Sequence, residues 1–118
     1  MRKIVVLAAI GSALLAGQAS AHARLITGSP KAGTTVAAPA ELKLTYSESL
    51  VTAASSVKVT GPGGTAVATG PLALDPKSKR IVHVPLTGKL GAGPYKVHWT
   101  MKTEDGHVMD GDFGFTVK

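Results

Sequence analysis

Residues 95–102 read YKVHWTMK, and the alternation in that stretch decides the fold. Successive side chains of an extended chain project to opposite faces, so Tyr95, Val97, Trp99 and Met101 share one side while Lys96, His98, Thr100 and Lys102 share the other. A half-buried β-strand has this pattern. ELKLTYS, residues 41–47, repeats it, with Leu42, Leu44 and Tyr46 set against Glu41, Lys43 and Thr45.

Outward from these two strands, weaker alternation marks ARLITG (23–28), SSVKVTG (55–61), TAVATG (65–70), RIVHVPL (80–86) and DFGFTVK (112–118). Between them lie the turn signals SPKAG, GPGG, LDPKSK, TGKLGAGP and DGHVMDGD. Glycine and proline recur too often for a long helical period. SLVTAAS, residues 49–55, reads equally as one helical turn or a loop. About seven short strands without helices predict an all-β, immunoglobulin-like antiparallel β-sandwich of Greek-key type, with a small barrel as the alternative. Trp99 is expected to fill the space between the sheets.

The first 21 residues have a different character. Arg2 and Lys3 precede the apolar run IVVLAAIGSALLAG and the small residues Ala19-Ser20-Ala21, which is the layout of a cleaved secretory signal. The apolar run falls short of the roughly 20 residues that span a bilayer. Cleavage after Ala21 leaves residues 22–118 as one domain with His22 at its head. Ala21-His22-Ala23 also satisfies the small-x-small pattern, and a cut after Ala23 would begin the chain at Arg24 instead.

Composition excludes several kinds of function. The chain has 13 basic and 7 acidic residues, a formal charge of +6, which falls to +4 without Arg2 and Lys3. Its basic residues are scattered except for Lys77-Ser78-Lys79-Arg80, read as a solvated turn, and its aromatics sit at core positions, so nucleic-acid binding is set aside. With no cysteine, thiolate catalysis, Cys-based zinc sites and disulfides are excluded.

The remaining chemistry lies with histidine. His83 and His98 fall on the polar sides of their strands, with no carboxylate at short spacing within the same strand, and are read as surface residues. His107 lies in TEDGHVMDGD, among Glu104, Asp105, Asp110 and Asp112. In an extended Asp105-Gly106-His107 stretch, residues i and i+2 face one way, so carboxylate and imidazole could reach one ion; an acidic hairpin turn explains the same residues. His22, if it begins the chain, adds an α-amine whose ordinary pKa of about 7.7–8.0 lets it bind a metal near neutral pH, next to its own imidazole. Three nitrogens and one oxygen suit Cu(II). Of the methionines, only Met101 and Met109 follow the signal, so no dedicated Cu(I) site is expected.

HARLITGSPKAGTTVAAPAELKLTYSESL, VTGPGGTAVATG and GPYKVHWTMKTEDGHVMDGDFGFTVK together resemble the CopC/PcoC family of periplasmic copper-binding proteins. The likeness rests on a histidine straight after the signal, an S-P…G turn, L-x-x-S-E-x-L, G-x-Y-x-V-x-W and a D-x-H before the last strand. It implies an immunoglobulin-like sandwich that binds Cu(II) through the N-terminal amine and imidazole of His22 with Asp105 and His107, and with Glu48 as an axial or supporting group. Some relatives carry a methionine-rich loop for Cu(I); residues 59–74 here hold neither methionine nor histidine. Arg24 stands where members often have a second histidine. The resemblance further implies a copper sequestration, delivery or resistance protein of the periplasm, not an enzyme, with an inner-membrane CopD-type importer or other copper-handling proteins as partners. Two other readings compete: a histidine-brace copper oxidative enzyme, disfavoured by a carboxylate in the plane where oxygen must bind, and a metal-free structural β-sandwich.

Overall fold

The computed structural model describes residues 24–118; His22 and the segment read as a signal lie outside them. Among the described residues nine strands follow in chain order: β1 Leu25–Ser29, β2 Thr35–Val36, β3 Glu41–Tyr46, β4 Leu50–Thr60, β5 Ala66–Val67, β6 Ala73–Asp75, β7 Ser78–Pro85, β8 Gly93–Thr103 and β9 Val108–Val117, with a 3-10 turn at Pro62–Gly64. They form two sheets, β1-β3-β7-β6 and β2-β9-β8-β4-β5. All pairings between these strands are antiparallel except β2 with β9. This is the immunoglobulin-like sandwich, not a barrel.

The alternation in the two firmest strands becomes the core. Leu42, Leu44 and Tyr46 face Tyr95, Val97, Trp99 and Met101 across the sheets, and all seven are buried. Trp99 sits between the sheets as expected, meeting the Tyr46 ring edge-on at 5.0 Å and 73°. Each fully buried apolar side chain contributes about 1.5–3 kcal/mol, so this apolar interior holds the sandwich without a disulfide. Tyr95, near the start of β8, donates its hydroxyl to the Gly91 carbonyl at 2.7 Å, pinning the β7–β8 loop as the tyrosine corner of such sandwiches does.

Two strands beyond the expected seven are β2 and β6, of two and three residues, too short to display a period. SLVTAAS is neither helix nor loop. It continues β4, whose pairing with β8 shifts between Val51 and Ser56; there Ser55 donates to the Val51 carbonyl at 2.7 Å and accepts the Lys102 N–H at 2.9 Å. A hydroxyl thus satisfies a backbone donor that the bulge leaves without a ladder partner.

Candidate metal centre

One end of the sandwich gathers the chain start, the β3–β4 turn and the β8–β9 turn. Arg24 donates its N–H to Ser47 Oγ at 3.0 Å, and the Ser47 N–H returns to the Arg24 carbonyl at 3.0 Å. Two residues further on, the Ser49 carbonyl accepts the Glu104 N–H at 3.0 Å. Glu48, exposed, therefore sits between the first described residue and the turn that carries Asp105 and His107.

Asp105-Gly106-His107 is not extended, in contrast to the sequence expectation. The Gly106 N–H donates to the Thr103 carbonyl at 2.9 Å, the Thr103 N–H to the His107 carbonyl at 2.9 Å, and Gly106 has φ +93°. A residue with a side chain resists that backbone conformation. The turn, rather than strand alternation, brings Asp105 and His107 together, with Asp105 Oδ2 3.3 Å from His107 Nδ1.

Thr103 organises the pair, and the sequence reading passed over it. Only 2% exposed, it donates its hydroxyl to Asp105 and accepts the His107 N–H at 3.2 Å. That hydrogen bond holds the Asp105 carboxyl below the usual carboxylate range, and the His107 N–H and imidazole act in the same direction. Its bonds run to the Asp105 side chain and to the His107 N–H four residues on, a pattern that no short sequence motif reports.

The other two histidines, read from the sequence as surface residues, are half-buried against carboxylate partners from neighbouring strands. His98 Nδ1 lies 2.8 Å from Asp112 Oδ1 on β9. His83 Nδ1 lies 2.8 Å from Glu41 Oε2 on β3 and its Nε2 2.7 Å from Asp75 Oδ1 on β6. Those two carboxylates occupy opposite sides of the ring and do not converge. Among the described residues no three His, Asp or Glu side chains gather in a way that could hold a metal ion, so Asp105 and His107 need donors from elsewhere to complete a site. At the opposite end of the sandwich Gly61, Pro62, Thr65, Lys89 and Tyr95 line an open cleft without a sulfur or imidazole donor.

Fold and turn together define a class: a small immunoglobulin-like sandwich with an oxygen-and-nitrogen donor pair on the turn before its last strand. The CopC domain model matches residues 25–118. The chain is 34% identical to protein YobA of Escherichia coli strain K12, covering 95% of this chain and 91% of that one. It is 36% identical to copper resistance protein C of Pseudomonas syringae pv. tomato, over 89% and 87%. Its fold is similar to the crystal structure of PcoC, a methionine-rich copper resistance protein from Escherichia coli, with a TM-score of 0.75 and 30% identity over 82% of this chain and 99% of that one. The chain belongs to the CopC family.

Proposed function

We propose that this chain is a periplasmic copper-resistance protein that binds Cu(II) and sequesters or delivers it, catalysing no reaction itself. In this reading a signal ends at Ala21, and the mature domain, residues 22–118, offers the amine and imidazole of His22, the imidazole of His107 and the carboxylate of Asp105, with Glu48 in support. Deprotonated nitrogen and oxygen donors suit Cu(II). The copper ion is cargo, exchanged with other copper-handling proteins, among them a CopD-type importer in the inner membrane.

The observation that carries the reading is the reciprocal Arg24–Ser47 hydrogen bonding beside the Ser49–Glu104 bond. It starts the described chain at the end of the sandwich that carries the Asp105–His107 turn, and the two residues from His22 to Arg24 span up to about 7 Å. Family membership supports copper as the ion, since copper resistance protein C and PcoC carry it in their names. The far end supports a Cu(II)-only member: unlike a methionine-rich relative, this chain has three methionines, one of them the initiator and one, Met101, buried in the core.

N-terminal sequencing of the exported protein, followed by Cu(II) titration under electron paramagnetic resonance, tests the proposal. The expected result is a chain that begins at His22 and takes up one tight equivalent with nitrogen hyperfine structure. A chain that begins at Arg24, or one whose acetylated amine leaves uptake unchanged, overturns it.

A further inference from the structure

We propose that the hairpin Lys77–Arg80 guides Cu(II) onto and off this end of the molecule as an anionic polycarboxylate chelate rather than as the bare ion. The inference rests on the Cu(II) reading above. β7 runs antiparallel to β3 with Ile81 opposite Thr45, so residues 77–80 extend past the end of β3 to the level of the Ser47–Ser49 turn. Lys79 Nζ lies 3.6 Å from Glu104 Oε2, one residue from Asp105. The hairpin is held by the Lys77 N–H on Asp75 Oδ2 at 2.9 Å and the Arg80 N–H on Ser78 Oγ at 3.2 Å.

Its charge is left over. Lys77, Lys79 and Arg80 are exposed. Among the described residues no carboxylate forms an ion pair with Lys77, Arg80 or the Arg24 side chain at the same end. Of the acids nearby, Glu104 pairs with Lys79 and Asp75 with His83, while Asp105 keeps its charge, hydrogen-bonded by Thr103 and beside His107. Glu48 and Asp105 would both turn toward copper. Over about a Debye length, 8–10 Å, cations that no contact ion pair offsets repel a bare dication and attract an anion. Such a field acts mainly on association rates and weakly on equilibrium affinity.

Stopped-flow loading of the apo mature protein tests this with two donors, Cu(II)–nitrilotriacetate, a net anion, and Cu(II)–diethylenetriamine, a net dication. The variant Lys77→Glu/Arg80→Glu should load about tenfold more slowly than wild type from the anionic donor at low salt and faster from the cationic one. Both differences should shrink at physiological salt, with copper stoichiometry, affinity and thermal melt unchanged. The neutralised variant Lys77→Ala/Arg80→Ala should fall between. Equal rates for all three proteins, or the same slowing from both donors, overturns the proposal. If wild type binds no tight Cu(II) in a direct titration, the copper reading itself fails; if it binds tightly and the rates ignore the hairpin, only this inference does.

Discussion

The hydroxyl of Thr103, shut away from solvent, donates to the carboxylate of Asp105 across a single intervening residue. Its lone pairs meanwhile receive the His107 N–H, so one buried oxygen holds both Asp105 and His107 in place. Supporting hydrogen bonds of this kind are typically worth 10- to 100-fold in metal affinity.

Thr103→Val should therefore weaken Cu(II) binding by about 10- to 100-fold while stoichiometry stays at one. Without the hydroxyl the Asp105 carboxyl rises toward its ordinary range, so copper is released at a higher pH than from wild type. Thr103→Ser, which keeps the hydroxyl, should bind within about twofold of wild type by the same argument. Competition against a chelator across a pH series measures all three, and a valine variant with wild-type affinity removes Thr103 from the site.

His83 joins three strands, β3, β7 and β6, by holding Glu41 and Asp75 on its two ring nitrogens. Only the imidazolium can donate to both, and the hydrogen bond to Asp75, then that to Glu41, raises the His83 pKa above 6.5. The same contact, then the Lys77 N–H, with Lys43 adding a smaller push in the same direction, lowers Asp75 below 3.8. His83 thus adds stability that is complete below 6.5 and lost as pH rises through its raised folded value. Asp75 adds stability that is present above 3.8 and lost as pH falls through its lowered one. His83→Gln should lower Tm by a few degrees at about pH 5.5 and by almost nothing at about pH 9, read by circular dichroism. A deficit that grows with pH contradicts the staple.

How far the sequence reveals the molecule depends on the range of each contact. Leu42, Leu44 and Tyr46, and Tyr95, Val97, Trp99 and Met101, announce their inner faces because a strand's period is local, and all are buried. Thr35–Val36 and Ala73–Asp75 are shorter than a period needs. In the β4 bulge Ala53 and Ala54 carry no polarity contrast to read. Asp105 and His107 do come together, but through the turn that Gly106 permits, a geometry that spacing alone does not distinguish from an extended strand. The partners of His83 and His98 are 8 to 42 residues away in sequence, and no short motif reports a neighbour supplied by another strand.

Tyr46 carries a cost that its burial reveals. It is 1% exposed, its hydroxyl finds no hydrogen-bond partner among the described residues, and burial pushes its phenol well above the ordinary range. An unsatisfied buried hydroxyl costs about 1–3 kcal/mol, whereas the ring's contact with Trp99 would survive in phenylalanine. Tyr46→Phe should be at least as stable as wild type and gain up to about 1 kcal/mol in urea unfolding. A loss of about 1 kcal/mol or more would show that the hydroxyl is bonded after all.

Gly111 is the residue that lets the Trp99 ring lie over the neighbouring strand β9 on the inner face of its sheet. The two are register partners, and a Cβ at Gly111 would stand 2.6 Å from Trp99 Cζ2 and 2.9 Å from Cε2. Trp99 cannot retreat, because Tyr46 meets its ring from the other sheet and only 6% of its surface is free. Gly111→Ala should therefore cost about 1–3 kcal/mol, as overpacking does, and lower Tm by roughly 4–8 °C per kcal/mol. Gly91→Ala, where a Cβ would meet nothing within 4 Å, is the matched control and should melt with wild type. Copper affinity of the Gly111 variant should stay within about twofold well below its Tm, since the β8–β9 turn is held by its own hydrogen bonds. Coincident melting of the two alanine variants would mean that the indole is free to move, and the packing described for the sandwich interior would have to be redrawn.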